Sequence, residues 1–264
     1  MISPAVSRAF FYKYITNIFG CLLMKIINIQ QFEKLKIKPV DVNVLKPVKT
    51  DYAYFPNTKH ELISIIKQRI EDEGHECNLN DIDTSKITNM SNLISNINRE
   101  FNGDINEWDM SNVKTTEGMF FGCTKFKGDL SKWDTKSLRI ADRMFFNCEK
   151  FNSDISKWNV KALYSANNMF FNCRSFNQNL NDWDVNNLIC MDSMFSDCVN
   201  FNQPLYKWGN KLHNVHTTYC MFLNCTSFCQ DISSWSVGNI DETKRMLMLT
   251  NCPSMKLEYF PHDF

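Results

Sequence analysis

The chain has 264 residues, and its 29 Lys+Arg balance 29 Asp+Glu to a formal net charge of zero, so no global field draws it to nucleic acid or to an anionic membrane. At 44% hydrophobic and 22% charged its composition is that of a globular protein, which excludes disorder over most of its length. Two biases, 21 Phe and 31 Asn against only 8 Gly, must be accounted for by the fold.

In chain order, residues 1–23 admit two readings. Arg8 and Lys13 precede an apolar stretch, and Ile18-Phe19-Gly20-Cys21 has the form of a lipidation box, which would send the chain to the cell surface or outside. Against export, Phe19 is bulky beside a cleavage site, the residues after Cys21 stay apolar, and Met24-Lys25 has the form of a translation start. On that preferred reading 1–23 is a dispensable extension and the protein is cytoplasmic. Lys13 and Lys25 interrupt the longest apolar run, so no transmembrane span is expected. Residues 24–57, with Pro39, Pro47 and Pro56, read as an irregular lead-in. Thr58 with Glu61, followed by Leu62, Ile63, Ile65, Ile66, Ile70 and then Gly74, predicts a capped amphipathic helix over 59–73, within a capping segment 58–78.

Residues 79–256 form a tandem array. All six tryptophans fall in one series, Trp108, Trp133, Trp158, Trp183, Trp208 and Trp235, at intervals of 25, 25, 25, 25 and 27. Phe101, Phe126, Phe151, Phe176, Phe201 and Phe228 keep step with them, as do Cys123, Cys148, Cys173, Cys198, Cys225 and Cys252. A degenerate copy before Phe101 has Ile82 in the Trp position. Within one copy, Trp108 and Met110 alternate as in a strand, whereas Val113, Thr116, Met119, Phe120 and Cys123 follow a helical stripe. The expected fold is therefore α/β: a right-handed solenoid of about six to seven strand-helix coils, with an N-terminal capping helix and a C-terminal tail at 257–264. Strands are expected near 105–110, 130–135, 155–160, 180–185, 205–210 and 232–237, each followed by a helix.

The run Phe151-Asn152-Ser153-Asp154-Ile155-Ser156-Lys157-Trp158-Asn159-Val160, with Asn168-Met169-Phe170-Phe171-Asn172-Cys173 after it, resembles the repeat of the BspA-like leucine-rich-repeat surface proteins. That resemblance covers about two thirds of the chain. It implies a leucine-rich-repeat-like solenoid, often at the cell surface and often assigned to adhesion, and it implies no catalytic residues.

Four features carry chemistry. The Cys column reads as core packing, since parallel side chains in a stack are poorly placed to bridge. His213 and His216 with Cys220, Cys225 and Cys229 offer zinc-type donors, but without a Cys-x-x-Cys pair, and are read as scattered residues. Asp104, Asp129, Asp154 and Asp231, and Asp109, Asp134 and Asp184, form acidic columns that need either a cation, a basic partner or backbone N–H donors; Asn179, Asn159 and Ser236 in the same columns favour the backbone. Asn102, Asn152, Asn177 and Asn202 are read as a turn ladder. No nucleotide loop, nucleophile elbow or HExxH motif occurs.

Columns that vary from copy to copy are free for recognition. One is Glu107, Lys132, Lys157, Asp182 and Lys207, ending at Ser234; another is Lys114, Arg139, Tyr164, Ile189 and His216. The expectation is a monomeric, non-enzymatic, cofactor-free module that binds a protein or cell-surface macromolecule through Glu107, Lys132, Lys157, Asp182 and Lys207. A structural surface component and a metal-dependent enzyme are the alternatives.

Overall fold

A computed structural model describes residues 52–245 and 247–262. The chain divides into two units, Met1–Thr50 and Asp51–Phe264. The extension at 1–23 and the lead-in as far as residue 51 lie outside the described residues. No described helix is long and apolar enough to cross a membrane.

Helix α1 (Lys59–Glu73) begins at Thr58, whose side chain accepts the Glu61 N–H at 3.2 Å. The Glu61 carboxylate reaches back past the cap to the Asn57 N–H at 2.7 Å, so both donors are satisfied at the positively polarised end of the helix. Gly74, at φ +85°, ends it. Leu62 and Ile66 are fully buried, and Arg69 ties the helix to the first coil through Asp81 at 2.8 Å.

The array itself corrects the expected α/β solenoid. Between 79 and 256 no described residue lies in a β-strand, and the helical pieces are a 3₁₀ segment, Tyr206–Lys211, and the four-residue α2 (Glu242–Arg245). The segments expected as strands are turns: the Trp158 N–H donates to the Ile155 carbonyl at 3.1 Å, and Trp183 to Leu180 at 3.0 Å. Strand-like pairing is reduced to isolated parallel bridges, a line of them through Asn89, Thr115, Ile140, Ser165, Cys190 and Thr217, with two more at the N-terminal end, between Tyr54 and Ile82 and between Asn78 and Asp104.

The segments expected as helices are chains of turns, and the destination of their N–H groups explains why. In an α-helix every N–H points back to the carbonyl four residues earlier. Here every second one stays within the coil, as Met119 to Thr116, Phe121 to Gly118 and Cys123 to Phe120 (3.0, 3.0 and 2.9 Å). The N–H groups between them leave for the next coil: Gly118 to Asp142, Phe120 to Met144 and Gly122 to Phe146 (2.8, 2.9 and 2.7 Å). Reversing direction at alternate residues requires left-handed backbone twice per coil. It occurs at Gly118 and Gly122, Arg143 and Asn147, Asn168 and Asn172, Ser193 and Asp197, Cys220 and Asn224, and Leu247 and Asn251, with φ between 52° and 74°. Side-chain packing at helical spacing survives, but the backbone is not helical.

Between these turns lies a core of aligned rings. Phe101, Phe126, Phe151, Phe176, Phe201 and Phe228 stack in sequence with centroids 5.9–6.2 Å apart. Phe120, Phe145, Phe170, Phe195 and Phe222 do so at 5.5–5.7 Å. Each repeat tryptophan sends its indole N–H to a carbonyl of the preceding coil, as Trp133 to Ile105 and Trp158 to Leu130, both at 3.0 Å. Burying the ring and satisfying its one donor together make Trp suited to this column.

Candidate interaction surfaces

The polar columns are engaged by the backbone. Asp129 and Asp154 each accept the N–H two residues ahead, at Ser131 and Ser156, at 2.9 Å, and Asn179 does the same for Asn181. The Ser156 side chain and its N–H hold Asp154 below the usual carboxylate range. In the second acidic column Asp109 accepts from Ser111 at 2.9 Å and Asn159 from Lys161 at 3.2 Å. These are Asx turns, the structural role the interchange of Asp and Asn points to.

The Asn ladder runs between coils. The Asn152 side-chain oxygen accepts the Asn177 N–H, Asn177 that of Asn202, and Asn202 that of Cys229, each at 2.9 Å. Sequence reasoning missed a second such ladder, in which Asp142, Asn167 and Asp192 accept the N–H groups of Asn167, Asp192 and Tyr219 at 2.8–2.9 Å. It also missed the column Gly122, Asn147, Asn172, Asp197, Asn224 and Asn251, whose composition is the sequence signal for left-handed backbone. With Asn102, Asn152, Asn177 and Asn202 they account for nine of the 31 Asn.

The six thiols of the Cys column are free and buried, whereas Cys190 and Cys229 are half-buried. Cys148 donates to the Phe120 carbonyl and Cys173 to Phe145, both at 3.0 Å, and Cys225 to Phe195 at 2.8 Å. Burial pushes the Cys123 thiol up to about 12, and those of Cys148, Cys173 and Cys225 well above their ordinary value. Cys225 is thereby committed to the core, and the Cys229 N–H to Asn202. His213 is exposed beside Asn214. Among the described residues no three His, Cys, Asp or Glu side chains come together as a metal site.

Two varying columns remain outside. Glu107, Lys132, Lys157, Asp182 and Lys207 are all exposed. Four of the five pair across coils: Lys132 with Glu107 of the preceding coil, and Lys207 with Asp182 at 2.7 Å. The hydrogen bond that Lys207 donates lowers the Asp182 pKa, and the one that Lys132 donates to Glu107 raises the Lys132 pKa. Lys157, between the two pairs, makes no ion pair among the described residues. The other column flanks the bridges, where the Ile189 N–H bonds to the Tyr164 carbonyl and His216 to Ile189, at 2.9 and 3.0 Å. Tyr164, Ile189 and the nearby Tyr219 are exposed. A shallow cleft beside them is lined by Cys190, Asp192, His216, Thr217, Tyr219, Thr243 and Lys244.

Residues 66–183 and, in a second alignment, 155–259 match the family described as Mycoplasma protein of unknown function, DUF285. The chain belongs to this family. No curated protein and no solved structure matches the sequence. The two DUF285 matches overlap at 155–183, as they must when one pattern fits a tandem array in more than one register. The DUF285 matches begin inside α1, at residue 66, and run through the last coil to residue 259.

Proposed function

We propose that the array is a non-enzymatic module that binds a protein or another cell-surface macromolecule, in the manner of the BspA-like surface proteins that its repeat resembles. The observation that carries this reading is the division between columns. Residues that recur from coil to coil are engaged in packing or backbone hydrogen bonds, whereas the outward columns change from coil to coil and stay exposed. The acidic columns, which an acid–base enzyme would need to converge in a cleft, are spread along the array as turn formers. The primary binding face is Glu107, Lys132, Lys157, Asp182 and Lys207.

The bridge-side column supports a second reading, because exposed Tyr164, Ile189 and Tyr219 give it an apolar patch that the charged column lacks. The experiment reverses Lys132, Lys157 and Lys207 to Glu in one variant and replaces Tyr164, Ile189 and Tyr219 by Ser in another. Each is then compared with the parent for saturable capture of cell-surface proteins by the immobilised chain. Loss in the first variant alone supports the charged face, and loss in the second alone moves the site to the bridge side. Capture that neither variant changes, or that an unrelated protein of equal charge reproduces, removes the proposal.

A further inference from the structure

The backbone of the array has a polarity, because each coil's turn segment donates N–H groups forward to the carbonyls of the next. The first coil lacks a donor behind it, and α1 supplies one. Ser91 occupies the place of Glu117, Asp142, Asn167, Asp192 and Tyr219, whose carbonyls accept an N–H from the coil before. The Ser91 carbonyl accepts instead from the Lys59 ammonium. The first coil is further closed by a parallel bridge between Tyr54 and Ile82.

At the far end two of the three sides are closed in similar ways. The Lys244 carbonyl, from α2, accepts the Thr218 N–H at 3.2 Å. The Tyr259 carbonyl accepts from Ile232 at 3.1 Å, and the His262 N–H reaches Ser233 at 3.3 Å. The third side is different. Phe222 and Asn224 donate to Met248 and Thr250 at 2.8 and 3.0 Å, which holds the last rung in the register of those before it. Among the described residues, the N–H groups of Leu247, Leu249 and Asn251, which stand where Gly118, Phe120 and Gly122 donate forward, have no acceptor. Leu247 beside them is 40% exposed.

We propose that this last rung is a docking edge for a segment of another polypeptide, which lies parallel to it in the same succession of turns and contributes main-chain carbonyls at alternate residues. A row of unpaired backbone donors is a template for strand-like addition, and a folded chain normally blocks it. The rung's chemistry selects the occupant. A second copy of the chain meeting it end to end would oppose donors with donors, and a second copy's first rung is covered by Lys59. A carbonyl-presenting segment with an apolar residue against Leu247 satisfies both the donors and the exposed side chain.

The probe is a fluorescent peptide with the sequence of residues 191–198, the rung Met191-Asp192-Ser193-Met194-Phe195-Ser196-Asp197, with Leu in place of Ser193, the position that stands against Leu247, and Ser in place of Cys198. It is titrated into the full chain while amide exchange is followed. The expected result is saturable binding that slows exchange at Leu247, Leu249 and Asn251 by about tenfold or more and leaves the bridge-side amides unchanged. Leu247→Asp, at an exposed position whose backbone Asp accepts, should weaken binding about fivefold or more, and a scrambled peptide should not bind. Reversing Lys132, Lys157 and Lys207 should not alter it, which separates this edge from the binding face proposed above. Three results would overturn the proposal: protection at some other side, no protection at millimolar peptide, or amides at 247, 249 and 251 already slow without peptide.

Discussion

In the middle of the array, from Phe126 to Cys225, each coil is completed by its neighbours: ring on ring, indole on carbonyl, thiol on carbonyl and side-chain amide on N–H. At the ends the same groups face no neighbour, and each end is completed by parts that occur once. The first coil uses a helix and one ammonium group; the last uses α2 and the tail, and three of its donors have no acceptor among the described residues. The difference teaches that repetition satisfies the interior by default, while the ends depend on particular residues. Stability therefore resides in columns in the middle and in single contacts at the ends.

The thiols test this contrast most strongly. Burial holds the Cys148, Cys173 and Cys198 thiols well above their ordinary value, and it raises Cys252 at the last coil to about 11. In the unfolded chain each thiol ionises near pH 8.5. Because the folded values are higher, the stability of each is complete below that pH and declines above it, through pH about 11 for Cys252 and further for the interior. The loss is on the order of 1.4 kcal/mol per thiol per pH unit, so six aligned thiols make the array fragile above pH 9. A urea midpoint measured at pH 8 and pH 10 should fall steeply, and should fall less in a Cys148/Cys173/Cys198→Ala variant. An equal fall in both would refute the assignment. A thiol reagent should label Cys252 before the middle three.

Next in size is Trp158→Ala, which removes a buried ring between Trp133 and Trp183 and leaves the Leu130 carbonyl without its donor. The expected cost is about 3–5 kcal/mol. Trp235→Ala, with a stacked indole on one side only, at Trp208, should cost less. Denaturant melts showing the reverse order would break the distinction between middle and end.

Much of this arrangement was legible in the sequence. The 25-residue register located the Phe, Trp and Cys columns, and the interchange of Asp with Asn in one column identified hydrogen-bonding turns. The α1 boundary was legible because Thr58, Glu61 and Gly74 each have one local physical role. The secondary structure of the array was not legible from periodicity, because consecutive three-residue turns bury side chains at nearly the same spacing as a helix. The signal that separates them is Asn147, Asn172, Asp197, Asn224 and Asn251, residues unusual at a repeated helix-interior position and natural in left-handed backbone. The binding face was legible only as variation. Which outward column carries an apolar patch depends on where Tyr164, Ile189 and Tyr219 emerge, and that follows from the turns.

Lys59→Met addresses the first end. It keeps the apolar stem but leaves the Ser91 carbonyl without its donor, at an expected cost of about 1–2 kcal/mol. The loss should be accompanied by faster amide exchange in the first coil and none in the middle. Uniformly faster exchange would show that the array unfolds as one unit and that its ends have no separate stability.

The smallest effect belongs to the last coil and has the opposite sign. Leu247 holds φ +62°, in a column that elsewhere contains Gly118 and Asn168. Leu pays a steric penalty in left-handed backbone that Asn largely avoids, and its side chain is 40% exposed, so little packing is lost on replacement. Leu247→Asn should therefore stabilise the chain by about 1 kcal/mol, whereas Asn168→Leu, the converse change in the same column, should destabilise it by a similar amount or more. Thermal melts of the two variants measure the pair directly. If Leu247→Asn is destabilising, the Leu side chain supports the last coil through packing that its exposure conceals, and the open edge is narrower than its backbone donors indicate.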